Sequence, residues 1–296
     1  MVNELKDIHQ TTFEEVIADV RNHERMENVF NHFKPQIVYH AAAYKHVPLM
    51  EMNPSEAIFT NVGGTKIVAD LAIKYHTDRF VLVSTDKAVN PTSVMGASKR
   101  VVEIYTQALG KSSKTKFITT RFGNVLGSNG SVIPLFKKQI EKGGPITITH
   151  PEITRYFMTI PEACQLVLEA GCMGNGGEIY IFDMGESVKI VDLANKMIRL
   201  SGLTVGKDIE IIYTGLRPGE KLYEELLNNS ENTIPTHNKQ IMIAKVQVAD
   251  LEQIKVEISK LINLAHTQDN VKIVQQLKSI VPEYISNNSI YESLDG

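Results

Sequence analysis

Cysteine is scarce: two in 296 residues leave no material for a disulfide-stapled fold. Cys164 and Cys172, eight apart in a segment that reads as helix, are expected to pack in the core of a protein kept in a reducing compartment. A basic excess is also missing, since 31 Lys and Arg face 34 Asp and Glu. The resulting net charge of −3 removes the simplest case for a nucleic-acid partner, because nothing is left over to neutralise phosphates. No window approaches the roughly 18 continuous apolar residues of a membrane span, and the opening MVNELKDIHQ is too polar for a secretory signal. A cytoplasmic chain without a membrane span is therefore expected. Glycine is absent before Gly63, so the chain opens without the glycine-rich turn that cradles a pyrophosphate. With 43% hydrophobic residues, 22% charged, 19 Gly and 11 Pro, the composition is that of a globular protein, neither collagen-like nor disordered.

What is present alternates. Residues 13–20 read as a first strand ending in Asp19-Val20, and Asn22 can cap a helix whose Met26, Val29, Phe30 and Phe33 recur at helical spacing until Pro35 stops it. Strands are expected at 36–40, 79–84 and 116–120, with helices at 54–75, 98–109 and 132–141 between and after them. Apolar strand runs joined by helical crossovers predict an α/β fold whose parallel sheet is covered on both faces. From about Phe122 turns multiply and elements shorten, as in a second, smaller unit, with a helix near 161–170, a strand at 178–182, a helix at 190–200 and a strand at 209–213. Residues 249–264 and 269–280 show helical spacing, and the end from 285 is polar enough to fray.

Ligands of open parallel sheets bind beyond the carboxyl ends of the strands, so residues just after each strand carry the chemistry. After 79–84 comes Thr85-Asp86-Lys87, a hydroxyl, an acid and a base in succession. Standing alone, the triplet reads equally as a helix cap with a surface ion pair. Met95 and Lys99, four apart, share the face of the next helix that points back to this loop. Asn61 reads as structural, bridging backbone groups, and no spacing of His, Cys, Asp or Glu suggests a metal site.

The segment STDKAVNPTSVMGASK (84–99) resembles the active-site segment of the extended short-chain dehydrogenase/reductases, nearest to the nucleotide-sugar 4,6-dehydratases of the capsule and O-antigen type. The likeness runs over residues 13–247, through HAAAYKHVPLMEMNP (40–54), RFGNVLGSNGSVIPLF (121–136), TRYFMTI (154–160) and RPGEKLYEEL (217–226). The usual family pair is Tyr-x-x-x-Lys; here Met95 stands in the tyrosine position, as in the membrane-linked subgroup. The resemblance implies a redox-neutral reaction on a UDP-N-acetylhexosamine, most simply UDP-N-acetylglucosamine. Hydride leaves C4 for NAD(P), with NAD expected, water is eliminated across C5 and C6, and hydride returns to C6. Asp86, with a raised pKa, would serve as acid at the C6 hydroxyl and Lys87, with a lowered one, as base at C5. Thr85 would bond the C4 oxygen and Lys99 the nicotinamide ribose. Met95 cannot titrate, so Lys87 or Asp86 is expected to take the C4 hydroxyl proton as well.

The same resemblance implies that Asp19 and Val20 contact adenine, that Ala41, Ala42 and Ala43 lie against the cofactor, and that Lys45 and His46 reach the sugar. Asn124 would bind the diphosphate, Ser131 and Val132 would offer a helix N-terminus to it, Arg155 and Arg217 would clamp it, and Glu220 would accept from the uridine ribose. Taken without the other motifs, RPGEK reads as a Pro-Gly turn before a helix with Glu220 and Lys221 solvated. The implied architecture is a Rossmann-type sheet lacking its first strand-turn-helix unit over 1–122, a sugar-nucleotide unit over 123–248 with some elements returning to the sheet, a helical tail over 249–284 and a disordered end over 285–296. On that reading the missing unit lies upstream of Met1, the isolated chain binds NAD weakly, and a sheet edge and apolar helix faces stand exposed. Full-length relatives are tethered to the inner face of the cell membrane, and related enzymes associate through helices, which leaves homo-oligomers open. Two other readings stand beside the dehydratase: an inactive fragment that binds only the sugar nucleotide, and an epimerase of the same superfamily, which Asp86-Lys87 disfavours.

Overall fold

The computed structural model describes residues 13–227, 232–246 and 248–296. At its centre six strands lie in the order Ile37–His40, Arg79–Val83, Lys116–Arg121, Glu178–Phe182, Ile241–Lys245 and Asn232–Pro235. The first four are parallel and the last two continue the sheet antiparallel. The Rossmann-type α/β class expected from the sequence is thus the class observed.

The run RFVLV explains the layering. Phe80 and Leu82 face a core that also holds Phe117 and the helices Thr65–Lys74 and Val94–Ser112, while Val81 faces the opposite side with Ile118 and the Ala163, Leu166 and Ala170 stripe of the helix Ile160–Met173. A strand buried on both faces needs an unbroken apolar run, and each fully buried large side chain contributes about 1.5–3 kcal/mol. The helices Leu251–His266 and Asn270–Ile280 add Ile258, Leu261, Ile273 and Leu277 to the first of these cores, so residues 249–284 are part of the main body. A separate cluster of Phe136, Ile148, Ile190 and Ile198 joins the helices Val132–Glu141 and Ile190–Leu200 to the parallel pair Ile146–Ile148 and Ile211–Tyr213, which forms the smaller lobe.

Several expectations are corrected. Residues 13–20 form no strand. The helix expected at 98–109 runs from Val94 to Ser112, because the Ser93 side chain accepts from Gly96 N and starts it a turn earlier. Between Pro54 and Lys74 the helix widens into a π-helical segment, Ile58–Gly64. Cys164 and Cys172 are exposed, since the buried stripe of their helix is 163, 166 and 170. Residues 285–296 are held in place: Tyr291 is buried, Asp295 pairs with Lys278, and Asn287 donates its backbone N–H to Thr92 O and its side-chain amide to Glu220 O.

Among the described residues Ile37–His40 is the parallel edge of the sheet, with Ile37 46% and Tyr39 42% exposed. No helix among them is long and apolar enough to cross a membrane.

Candidate active site

A cavity of about 580 Å³ opens at the carboxyl ends of the parallel strands, where an open α/β sheet places its ligands. Its floor is the turn that follows Arg79–Val83. Thr85 begins a short 3-10 turn, Asp86–Ala88, and Ser84 N stays tied to Thr120 O at 2.7 Å, so the turn leaves the sheet at a fixed point. The helix Val94–Ser112 then presses its first turn onto that loop. A Cβ at Gly96 would stand 2.2 Å from the Lys87 carbonyl oxygen, so only glycine permits this approach.

Four of the five residues expected to do chemistry line the cavity: Thr85, Lys87, Met95 and Lys99. The fifth, Asp86, lies fully buried behind them. Thr85 Oγ1 donates to Asp86 Oδ1 at 2.9 Å, and Lys87 Nζ reaches the same oxygen at 3.0 Å. Lys99 Nζ donates to Val83 O at 2.9 Å, which holds its side chain against the end of the strand. Asn61 is structural as expected: it accepts from Tyr44 N at 2.8 Å and donates to Tyr44 O and to Ser98 Oγ.

All the residues expected to bind the sugar nucleotide line the same cavity: Lys45, His46, Asn124, Ser131, Val132, Arg155, Arg217 and Glu220. Ser131 precedes the helix Val132–Glu141 without capping it, and its buried hydroxyl has no partner among the described residues. His46 lies across from it against Gly130. Glu220 is 8% exposed and bonds Arg217 through both carboxylate oxygens, at 3.0 and 3.3 Å. Arg155 is buried, donating to Thr154 O at 2.7 Å and Lys221 O at 2.9 Å. The cofactor set is divided. Ala41 and Ala43 line the cavity, whereas Val20 and Ala42 line a second, apolar groove that meets it at Ala41. Asp19 lies outside both, half-exposed and paired with Arg21 at 2.8 Å.

Two groups that the sequence did not single out complete the site. Glu224, 2% exposed in its side chain, pairs with Lys87 at 3.1 Å and with Arg155 at 3.6 Å. Beneath the turn, the buried Glu103 carboxylate accepts from Ser84 Oγ at 2.7 Å and from Arg121 at 2.9 and 2.7 Å. The segment after RPGEK is irregular rather than helical, and Lys221 is buried, donating to Val89 O at 2.9 Å. The clamp of 220–225 onto 86–89 comes from these polar bonds, which hydrophobic periodicity cannot report.

Burial raises the Asp86 carboxyl above its ordinary range despite the Lys87 ammonium, and Glu224 pushes the same way. Lys87 departs from expectation. Burial opposes its charge, but the Asp86 and Glu224 carboxylates outweigh burial and hold the ammonium above the usual lysine range, with Arg155 opposing them. Lys99 behaves in the opposite way: burial brings it down to about 8, offset only in part by Glu103. His40, bonded to Thr65 Oγ1 at 2.9 Å, is brought down to about 3 by burial and by Lys99 beside it.

The two lysines should therefore separate in a titration of protein labelled with 13C at lysine Cε. The Lys99 signal is expected to move with a midpoint near 8. The Lys87 signal is expected to move above 10.5, the ordinary value. Lys99 has a folded pKa below its unfolded one, so between about 8 and 10.5 the unfolded chain binds more protons and this group favours folding increasingly as pH rises. A Lys99 midpoint at the ordinary lysine value would contradict its burial.

Residues 1–246 match the family described as polysaccharide biosynthesis protein. The chain belongs to this family. It is 55% identical over 265 residues to the capsular polysaccharide biosynthesis protein CapD of Staphylococcus aureus, covering 89% of this chain and 44% of that one. It is 40% identical over 218 residues to a UDP-glucose 4-epimerase of Rickettsia rickettsii, covering 73% of this chain and 62% of that one. In both cases the chain spans less than two thirds of the relative. Among solved structures, the X-ray structure of Pen from Bacillus thuringiensis is similar at 35% identity and a TM-score of 0.74, covering 83% of this chain and 77% of that one.

Proposed function

We propose that the chain carries the catalytic site of a UDP-N-acetylhexosamine 4,6-dehydratase, with UDP-N-acetylglucosamine as substrate, NAD as cofactor and a place at the cytoplasmic side of surface polysaccharide synthesis. The reading rests on Lys87 on the cavity floor beside Met95, with the buried Asp86 carboxyl directly behind it at 3.0 Å. Elimination across C5 and C6 needs an acid and a base on one face of the sugar, and an epimerase needs neither there. Asp86, its carboxyl raised by burial, keeps a proton to give the C6 hydroxyl as it leaves. Lys87, 21% exposed in its side chain at the floor, faces C5. Thr85 orients the C4 oxygen.

The cavity fits the nicotinamide end of a dinucleotide. Ala41 and Ala43 present only methyl groups there, and Lys99 stands at the end of the Arg79–Val83 strand to hold the ribose. NAD, when bound, accepts hydride from C4 and returns it to C6. Val20, Ala42 and Asp19 would meet its adenine half along the adjoining groove. On the sugar-nucleotide side Arg217, 58% exposed in its side chain, has its Nε and Nη2 held by Glu220 and would offer Nη1 to a diphosphate oxygen. Glu220 orients it and Arg155 anchors the loop, while Ser131, Val132 and Asn124 face the phosphates and Lys45 and His46 the sugar.

The epimerase reading has its own support in the 40% identity to the Rickettsia protein. One assay separates the two. Turnover of UDP-N-acetylglucosamine with NAD in D2O is expected to yield a 4-keto-6-deoxy sugar carrying solvent deuterium at C5. A C4 epimer without deuterium would identify an epimerase, and no change in the sugar would favour a binding-only fragment.

A further inference from the structure

The Lys87 ammonium has three N–H bonds and three acceptors: Asp86 Oδ1 at 3.0 Å, Glu224 at 3.1 Å and Asn124 Oδ1 at 3.2 Å. A neutral amine offers only two donors, so this tripod holds the charged form. The base proposed for C5 must nevertheless lose a proton before it can take one. Of the three acceptors, Asn124 cannot hold that proton. Asp86 is occupied by Thr85 at 2.9 Å and carries the proton destined for the C6 hydroxyl. Glu224 remains as the carboxylate to which the elimination assigns no proton of its own; its Oε2, like Asp86 Oδ2, is buried without a partner among the described residues.

We infer that Glu224 is a positioning residue for Lys87: its carboxylate fixes the ammonium on the cavity floor and receives its proton when the amine is to act. The inference rests on the dehydratase reading for what Lys87 then does, and on the tripod alone for the relation between the two side chains. The step is a single proton transfer in which one N–H bond of Lys87 breaks and one O–H bond forms on Glu224. No charge is created, since an ion pair becomes two neutral groups. In the resting site the ion pair is the favoured form, since Lys87 is held above and Glu224 below its ordinary range, so the transfer runs uphill there. The groups facing Lys87 are Asp86 from its own turn, Glu224 from the 220–225 segment and Arg155 from the strand Thr154–Arg155; those facing Glu224 are Lys87, Asp86, Arg155 and Lys221. Burial opposes the charge of Glu224, but Lys87 first and Arg155 after it hold its carboxyl below the ordinary carboxylate range in the resting site.

The test uses the full 296-residue chain with 13C at lysine Cε, the Lys87 signal being assigned by its loss in Lys87→Arg. Glu224→Gln, which keeps the shape and removes the charge, is expected to lower the Lys87 midpoint by about a pH unit or more while the Lys99 midpoint stays near 8. Glu224→Asp, which keeps the charge, is expected to hold the Lys87 midpoint near wild type, and Glu224→Ala carries the test if Glu224→Gln fails to fold, as judged by loss of a cooperative urea transition. A Lys87 midpoint in folded Glu224→Gln, or failing that in Glu224→Ala, indistinguishable from wild type, a Lys87 midpoint lowered equally in Glu224→Asp, or a Lys99 shift of the same size, would overturn the inference. In the deuterium assay the rate limb that rises with Lys87 deprotonation should move to lower pH in Glu224→Gln, and an unmoved limb also counts against it. Absence of dehydration with the Lys87 midpoint lowered as expected would instead count against the substrate reading, leaving the Glu224–Lys87 relation standing.

Discussion

Arg121→Met is expected to cost about 3–5 kcal/mol, a large share of the roughly 5–15 kcal/mol that holds an ordinary domain folded. Arg121 and Glu103 are both 0% exposed, and the guanidinium meets the carboxylate at 2.9 and 2.7 Å. Removing the cation leaves Glu103 buried with Ser84 and with Arg100, whose contact is 3.2 Å. The cost is that of the abandoned charge rather than of the pair. Arg121→Met combined with Glu103→Leu should therefore recover most of the loss, because apolar replacement of both partners is often neutral. Urea midpoints of the wild type, the single and the double variant check this. A single variant within about 1 kcal/mol of wild type would mean the charge had found solvent, since pairs near water are worth about that or less. The pH dependence gives a second reading. Burial opposes ionisation of Glu103, but Arg121 and Arg100 hold its folded pKa below the unfolded value. That contribution is present above the unfolded pKa and lost as pH falls through the folded one. In Arg121→Met burial is left with less to oppose it, so the variant's deficit should shrink as pH falls toward protonation of Glu103.

This pair also marks where sequence reading stopped. The sheet was legible because RFVLV can only be a strand buried on both faces, and the helix Ile190–Leu200 because its apolar residues recur at one period. The floor of the site was legible because Thr85, Asp86 and Lys87 are consecutive and follow a strand. Glu103, Arg121 and Glu224 gave no such signal. Glu103 meets Arg121 only once the helix Val94–Ser112 packs on the strand Lys116–Arg121, and Glu224 reaches Lys87 from an irregular segment far along the chain. Beside Glu225, which is 44% exposed in its side chain, it reads as one of two solvated acids. The 285–296 end misled for a related reason. Its polar composition suggests fraying, but its order comes from the buried Tyr291 and from asparagines that satisfy loop carbonyls. Residues 13–20 misled in the opposite sense, having strand composition but no strand conformation.

Removing the acid and the base of the proposed elimination is expected to lower kcat by about 10²–10⁴ each, and the choice of substitution decides whether that loss can be interpreted. Lys87→Ala would leave Asp86 and Glu224 facing each other without the ammonium between them. One would take up a proton or the floor would open, and a loss of rate would then report the fold as much as the chemistry. Lys87→Arg keeps a cation among the same acceptors but cannot deprotonate near neutral pH, so it preserves the counter-charge and removes only the base. Asp86→Asn keeps the bond from Thr85 and the one from Lys87 while removing the titratable carboxyl that burial raises. For both variants KM should stay within about threefold of wild type, because the UDP contacts proposed for Arg217 and Glu220 lie elsewhere in the cavity, and kcat should carry the whole effect. Rates within about tenfold of wild type for both would mean that neither side chain transfers a proton in the slow step. The elimination would then have to be assigned to other groups on the cavity wall, and the functional reading built on Asp86 and Lys87 would fail with it.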